Sequence, residues 1–563
     1  MTDGKIEGHE GALSARGREA RLSRMATEPL DLLVIGGGIT GAGIALDAAS
    51  RGLRVALVEM QDYAAGTSSR STKLVHGGLR YLKRLEIGVV AEVGKERAIV
   101  YENGPHVTAP EWMLLPFYEG GTFGPKLTSI GLRVYDFLAG VKRKERRKML
   151  GAEEALRLEP LLKREGLRGA GYYVEYRTDD ARLTIEVMKK AAELGAISVN
   201  YAAAESFLYE EGKLVGAVVR DRIGGMAYEV RAAAVVNAAG PWVDDVRELD
   251  RSRRGKTLRL TKGAHLVFDG GRFPLRQAVY FDTPDGRMAF AIPRDGKTYF
   301  GTTDTAYEGD IGNPRATDAD RSYLLEAANA IFPGLRLAET DVESSWAGVR
   351  PLIYQEGKAP SDISRRDEIF ESSSGLLSIA GGKLTGYRKM AETVVNRVLK
   401  RLGADARHRV VACRTKRLPI SGGDVGGSER FEAFVRARAA EGGAAGMDER
   451  ASELIARRYG SNAPKLYGLA ARPEQAAFAE RHGLSPELAA ELVYAVLEEG
   501  ALTPADFWIR RTGSLLFEIA RVRAWEAAVH RGMGELLAWN EADGERCRTE
   551  LQRELAEATI TGS

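Results

Sequence analysis

Three glycines in Gly36-Gly37-Gly38-Ile39-Thr40-Gly41 stand at the Gly-x-Gly-x-x-Gly spacing of a backbone that closes on a pyrophosphate. At that spacing Gly36 makes the tight turn, Gly38 lets the backbone approach the diphosphate, and Gly41 lets helix and strand pack closely. The N-terminus of the following helix then faces the phosphate charge. Glu59, at the end of the next apolar run, lies where a carboxylate accepts hydrogen bonds from ribose hydroxyls. The glycines alone are a weak signal; their setting makes it strong. Asp31-Leu-Leu-Val-Ile reads as a buried strand, Thr40 to Ser50 as an Ala-rich helix stopped by Gly52, and Arg54-Val-Ala-Leu-Val-Glu59 as a second strand.

No second unit of this kind occurs, so a separate nicotinamide domain is not expected. Instead Ala380-Gly381-Gly382-Lys383-Leu384-Thr385 joins a strand, Leu376 to Gly382, to a helix, Leu384 to Leu402. A helix N-terminus there stabilises negative charge on a reduced flavin ring, which predicts FAD. Asn237-Ala-Ala-Gly240 ends another buried run and reads either as a third contact with the cofactor or as a structural strand end. The loop from Ser68 to Leu82 is dense in donors yet holds Leu74, Val75, Leu79 and Leu82. It is predicted to lie on the ring system, with Ser69, Thr72, Lys73, Leu74 and His76 at the cofactor and Arg80 toward a substrate. Gly240, Gly381, Gly382, Lys383, Leu384 and Thr385 complete the expected cofactor set.

Cations recur late in the same region: Arg350 in Gly-Val-Arg-Pro-Leu, Arg365 in Ile-Ser-Arg-Arg-Asp, and Lys383. Arginine pairs bidentately with phosphate and lysine acts as a point charge. Each alone reads as a surface ion pair. Together with Arg80 they predict a small dianionic substrate.

These residues need more than one domain to position them, and 563 residues suggest two to four. A balance of 81 basic against 78 acidic residues argues against nucleic acid as the main ligand. Cys413 and Cys547 are too far apart to form a Cys-x-x-Cys pair or a disulfide framework, and no His/Cys metal cluster is visible. The longest apolar stretch, Leu30 to Ala49, carries Asp31 and Asp47, so no membrane span is expected. Residues 1–28 read as a disordered extension with no secretory h-region, and Met25 as an alternative start. Residues 29–404 read as FAD-binding and substrate domains, interleaved. Within them Tyr172 to Gly286 alternates strand-like runs with one helix, Ala181 to Leu194. A Gly-rich linker covers 405–427, and 428–563 form an all-helical domain. The fold class is thus α/β, a Rossmann-like FAD-binding domain interleaved with a mixed-sheet substrate domain, plus an all-α C-terminal domain.

The chain resembles the FAD-dependent glycerol-3-phosphate dehydrogenases. The resemblance rests on Gly36 to Gly41, the Thr72 to Leu82 loop with His-Gly-Gly-Leu-Arg-Tyr, Gly348 to Leu352, and Gly-Gly-Lys-Leu-Thr-Gly-Tyr-Arg388. It extends to Asp506-Phe-Trp-Ile-Arg-Arg-Thr512 in the helical tail. It implies oxidation of sn-glycerol 3-phosphate to dihydroxyacetone phosphate by hydride transfer to FAD, with electrons passed to a quinone. It also implies substrate positions at Arg80, Tyr81, Arg350, Arg365 (with Arg366 beside it) and Lys383. Arg350, His265 and His76 are the catalytic candidates, either histidine being the base. His265 lies on an alternating strand, so a structural histidine remains an open reading.

The family's oxygen-using branch carries a mid-chain insertion, and its absence here favours a dehydrogenase over a peroxide-releasing oxidase. A flavin-containing RNA-binding or scaffold protein is a further alternative, disfavoured by the near-zero charge. A quinone acceptor implies a cytoplasmic protein attached peripherally to the inner face of the cell membrane; a homodimer stays open. The candidate for contact with anionic lipid is Tyr135 to Leu150. There Lys142, Arg143, Lys144, Arg146, Arg147 and Lys148 oppose only Glu145, flanked by Phe137, Leu138, Val141, Met149 and Leu150. A solvated charged helix end is the alternative.

Overall fold

The computed structural model describes residues 10–75, 87–121, 124, 128–129, 132, 145–355, 367–381 and 383–559. The glycine-rich turn belongs to a six-stranded sheet ordered Glu368–Glu371, Leu377–Ala380, Val235–Asn237, Leu32–Ile35, Val55–Val58, Ile197–Val199. All neighbours are parallel except the edge strand Glu368–Glu371. Every residue of Leu32–Ile35 is buried, as a parallel strand covered on both faces requires. Leu32 and Val34 pack among the helices Ile39–Arg51, Asp180–Glu193 and Tyr387–Arg409. Leu33 and Ile35 face a three-stranded antiparallel sheet (Ala202–Glu210, Lys213–Asp221, Ala227–Arg231) and the helix Arg18–Thr27.

That last helix corrects the expected disorder of 1–28, for residues 10–28. Arg18, Arg21, Leu22 and Met25 recur at helical spacing and are all buried. The two arginines donate to backbone carbonyls of Asn200 and Ser198, at 3.0 and 3.1 Å. The segment was legible only if its arginines were read as an inward face.

The chain leaves the six-stranded sheet three times; the middle excursion makes the three-stranded sheet, and the first and last together build one mixed ten-stranded sheet. Leu74–Val75, Thr108–Tyr118, Lys148–Leu150 and Leu167–Thr178 come from the first, and the strands from Lys256–Asp269 to Val342–Gln355 from the last. This is the expected interleaving. Leu114, Leu266 and Phe268 pack against the helix Asp318–Ile331. The alternating residues Met113, Leu115 and Val267 share a core with the C-terminal helices. Among described residues every strand ends before residue 381; helices from Phe431–Ala444 to Glu541–Ala558 follow, around a buried run from Leu488 to Leu497.

Most of Tyr135 to Leu150 lies outside the described residues. Its end is corrected: Lys148–Leu150 is a strand paired with Leu167–Thr178, Leu150 joins the core and Met149 packs against it. Those two are therefore committed inward. No helix among the described residues is long and apolar enough to cross a membrane.

Candidate active site

The site lies at the carboxyl ends of the parallel strands, where open α/β sheets place their ligands. Gly36 follows Ile35 with φ +111, and a Cβ there would sit 2.5 Å from the carbonyl oxygen of Ala238, at the end of the neighbouring strand. A Cβ on Gly41 would overlap the carbonyl oxygen of Gly36. Gly38 caps the helix Ile39–Arg51, whose first N–H donates to Ser68 Oγ at 2.9 Å. Glu59 accepts from Gly37 N at 2.6 Å and from Gln61 N at 2.8 Å. Burial raises its pKa, and those two N–H groups oppose the rise. Each carboxylate oxygen keeps a lone pair for a hydroxyl donor. Two strands further along the same edge, buried Asn237 ties the ends together, donating to Val243 O at 2.9 Å and Ser378 Oγ at 3.1 Å. Gly240 and Gly381 lead away from these ends, and Lys383 precedes the short turn Leu384–Gly386 that opens the helix Tyr387–Arg409.

The loop after Glu59 crosses from this edge onto the ten-stranded sheet. Thr67 Oγ1 donates to Val349 O at 2.6 Å, Trp346 Nε1 to Ser71 O at 3.1 Å, and Tyr299 OH to Thr72 O at 3.2 Å. Thr72 Oγ1 lies 3.0 Å from His265 Nε2. Ser69 and Leu74 are buried. The ammonium of Lys73 is committed within the protein, 2.6 Å from Asp180 and 3.0 Å from Ser69 O. What Lys73 exposes to a cofactor is therefore its backbone.

Beneath the loop, Arg350 and His265 lie on paired strands. His265 stacks on Trp346 with ring centres 4.6 Å apart and planes within 9°. Arg350 donates to Thr302 Oγ1 at 2.9 Å and Thr303 O at 3.2 Å, with Asp304 at 3.5 Å. Two glycines clear this space: a Cβ on Gly301 would overlap the His265 ring, and one on Gly263 the Arg350 guanidinium. Burial first, then the cations Arg350 and Lys73, hold the His265 pKa well below its ordinary 6.5. The imidazole is neutral at neutral pH, with Nδ1 unpartnered among the described residues. The arrangement combines a dinucleotide cradle, a permanent cation and a neutral imidazole able to accept a proton.

Residues 31–388 match a family model described as FAD dependent oxidoreductase, and residues 413–544 match the C-terminal domain of alpha-glycerophosphate oxidase. The chain is 58% identical over 544 residues to the aerobic glycerol-3-phosphate dehydrogenase of Bacillus subtilis (strain 168), covering 96% of this chain and 98% of that protein. It is 56% identical over 549 residues to that of Staphylococcus aureus (strain USA300), covering 97% and 98%. A solved glycerol-3-phosphate dehydrogenase from Bacillus halodurans, complexed with FAD, superposes with a TM-score of 0.85 at 49% identity, covering 98% of this chain and 100% of that one. The chain belongs to the FAD-dependent oxidoreductases.

FAD fits the cradle described above. The space that side chains at Gly36 and Gly41 would close is kept open, a helix N-terminus faces it, and the Glu59 oxygens border it. The fold brings Gly36, Gly38, Gly41, Glu59, Gly240 and Gly381 to one sheet edge, and Ser69, Thr72, Lys73 and Leu74 to the loop above Arg350 and His265. Lys383, Leu384 and Thr385 follow the adjoining strand end. His76, Arg80, Tyr81, Arg365 and Gly382 lie outside the described residues. Sequence reasoning missed Trp346, the floor of the His265 site, and Asp180, which gathers Ser71 and Lys73. Their signals were slight: a tryptophan two residues before Gly348, and an Asp-Asp pair opening a helix.

Proposed function

We propose that the chain oxidises sn-glycerol 3-phosphate to dihydroxyacetone phosphate and passes the electrons to a quinone. The observation that carries the reading is the Arg350–His265 pair under the 66–75 loop, cleared by Gly263 and Gly301. The names of the relatives support the substrate. FAD, when bound, supplies the acceptor for the hydride that leaves C2. Gly36, Gly38, Gly41 and Glu59 hold its diphosphate and ribose, and Ser69, Thr72, Lys73, Leu74 and His76, with Gly240 and Gly381 to Thr385, border the ring system. Arg350 binds the substrate's negative charge together with Arg80, Tyr81, Arg365 and Lys383. His265, kept neutral and oriented through Thr72, takes the hydroxyl proton, with His76 as the other candidate base. The quinone acceptor places the protein peripherally on the inner, anionic face of the cell membrane, and a homodimer fits this reading.

Turnover of sn-glycerol 3-phosphate and of glycerol with a soluble quinone analogue, with peroxide measured in parallel, tests it. The expected result is turnover of the phosphate ester alone with little peroxide. Equal turnover of glycerol removes the anion clamp, and stoichiometric peroxide makes the protein an oxidase.

A further inference from the structure

The helical C-terminal unit reaches the loop after Glu59 through the carboxylate of Asp62. Asp62 lies three residues after Glu59 and is fully buried. Its Oδ1 accepts from Arg511 Nη2 and from Asn200 Nδ2, both at 2.9 Å; its Oδ2 accepts from Arg511 Nη1 at 2.6 Å and Arg510 Nε at 2.5 Å. Both arginines belong to the π-helical turn Asp506–Arg511 of the helical unit. Asp506 anchors that turn, accepting from Leu502 N, Thr503 N and, across the junction, Tyr201 OH at 2.7 Å. Arg511 also donates to Glu499 O, and Asn200 Nδ2 to Gly500 O.

We propose that docking of the helical unit, through Arg510 and Arg511 on Asp62, shapes the loop that carries Glu59, so that FAD affinity and domain docking are one coupled equilibrium. The proposal rests on the assignment of Glu59 to the cofactor. The loop is short and pinned to the glycine turn at both ends. Gly37 N donates to Glu59, Ala64 N donates to Gly37 O at 3.1 Å, and the Tyr63 ring lies against Gly37. Between these pins Gln61 O accepts from Tyr201 N at 2.8 Å, and the Asp62 carboxylate turns inward to the arginines. A carboxylate with no exposure stays inward only where its lost hydration is replaced, and here the two guanidiniums replace it. Without them Asp62 turns to water, and Gln61 and Glu59 move with it. Coupling of this kind is reciprocal: what docking does for FAD, FAD does for docking.

The test uses the full chain, stripped of FAD and titrated with it, following flavin fluorescence. Asp62→Asn and Arg511→Met are expected to raise the FAD dissociation constant at least tenfold. The control is Glu491→Gln, which breaks a buried pair with Arg458 and Arg521 inside the helical unit, at 2.6 and 2.9 Å. It is expected to lower Tm while leaving FAD affinity within twofold. Unchanged FAD affinity in the Asp62 and Arg511 variants, or an equal loss in the control, overturns the coupling. Glu59→Gln separates the underlying assignment: if it binds FAD normally, the role of Glu59 falls. If Glu59→Gln weakens FAD and Asp62→Asn does not, the assignment stands and the coupling falls. Amide exchange on the wild type covers variants that fail to fold. FAD is expected to slow exchange across 502–512 as well as 36–42, and slowing confined to 36–42 contradicts the proposal.

Discussion

Replacing Arg350 by methionine removes the cation from the centre of the site while keeping most of the side chain's length. In the wild type the guanidinium is aimed by Thr302 and Thr303, and its side chain is 34% exposed. One charge-assisted hydrogen bond to a phosphate is worth about 1.5–3 kcal/mol, or roughly ten- to a hundredfold in binding. Partial exposure screens the interaction, which places the expected rise in KM for sn-glycerol 3-phosphate near the lower end, about tenfold. A second readout follows from His265. Its pKa is depressed by burial, then by Arg350 and Lys73. Removing Arg350 makes the protonated imidazole less unfavourable, so the pKa rises toward 6.5. With the neutral form as base, the acid limb of the kcat/KM profile moves to higher pH. Steady-state kinetics across pH 5–8, with glycerol as the phosphate-free comparison, give both numbers. An unchanged KM together with an unmoved acid limb would exclude Arg350 from the substrate site.

Gly38→Val is expected to purify without flavin yet folded, because among the described residues a Cβ there meets the Ser68 side chain alone, its Oγ at 3.0 Å. Gly41→Ala, whose Cβ overlaps the Gly36 carbonyl, is expected to lose both flavin and Tm; normal flavin content in either contradicts the cradle. Burial, then Asp506, raise the Glu550 pKa to about 7. A raised carboxyl contributes stability that is fully present below its ordinary 4.5 and lost as pH rises through about 7, by about 3 kcal/mol at most. Glu550→Gln should flatten the fall in Tm between pH 5 and 8, and an identical slope excludes this source. Burial works against the ionised Glu499, but Arg182 and Lys189 more than reverse it, leaving a pKa of about 2. Its contribution is present above 4.5 and lost as pH falls through about 2, so Glu499→Gln should be less stable than wild type at pH 7, with the difference shrinking toward pH 2 in acid melts. Co-sedimentation with anionic vesicles should be salt-sensitive and weaker when Lys142, Arg143, Arg146 and Arg147 become glutamine, each basic residue near the surface being worth about 1 kcal/mol. Undiminished binding removes that segment from consideration.

The cofactor half of the site was legible because its chemistry is local. Glycine spacing, the strand before it and Glu59 after it all fall within 30 residues, and the structure brings them together at one sheet edge. The interleaving was legible from strand-like runs on both sides of the Asp180–Glu193 helix. What escaped depends on pairing over long separations. The Lys73 ammonium reads as a cofactor group until Asp180 is seen beside it, which leaves the backbone of Lys73 for that role, and Asp62 reads as a loop residue until Arg510 and Arg511 arrive from almost 450 positions away. Residues 1–28 read as a disordered extension, yet Arg18 and Arg21 satisfy backbone carbonyls in the interior. A buried arginine and an exposed one look alike in one dimension, because the partner that neutralises the charge is chosen by the fold.

On the proposed function, electrons from sn-glycerol 3-phosphate collect on bound FAD. An anaerobic titration of the purified protein, followed by flavin absorbance, tests it most directly. The expected result is bleaching complete near one equivalent of sn-glycerol 3-phosphate, none with glycerol, and rapid return of colour on adding a quinone. Flavin that stays oxidised under excess sn-glycerol 3-phosphate would contradict it.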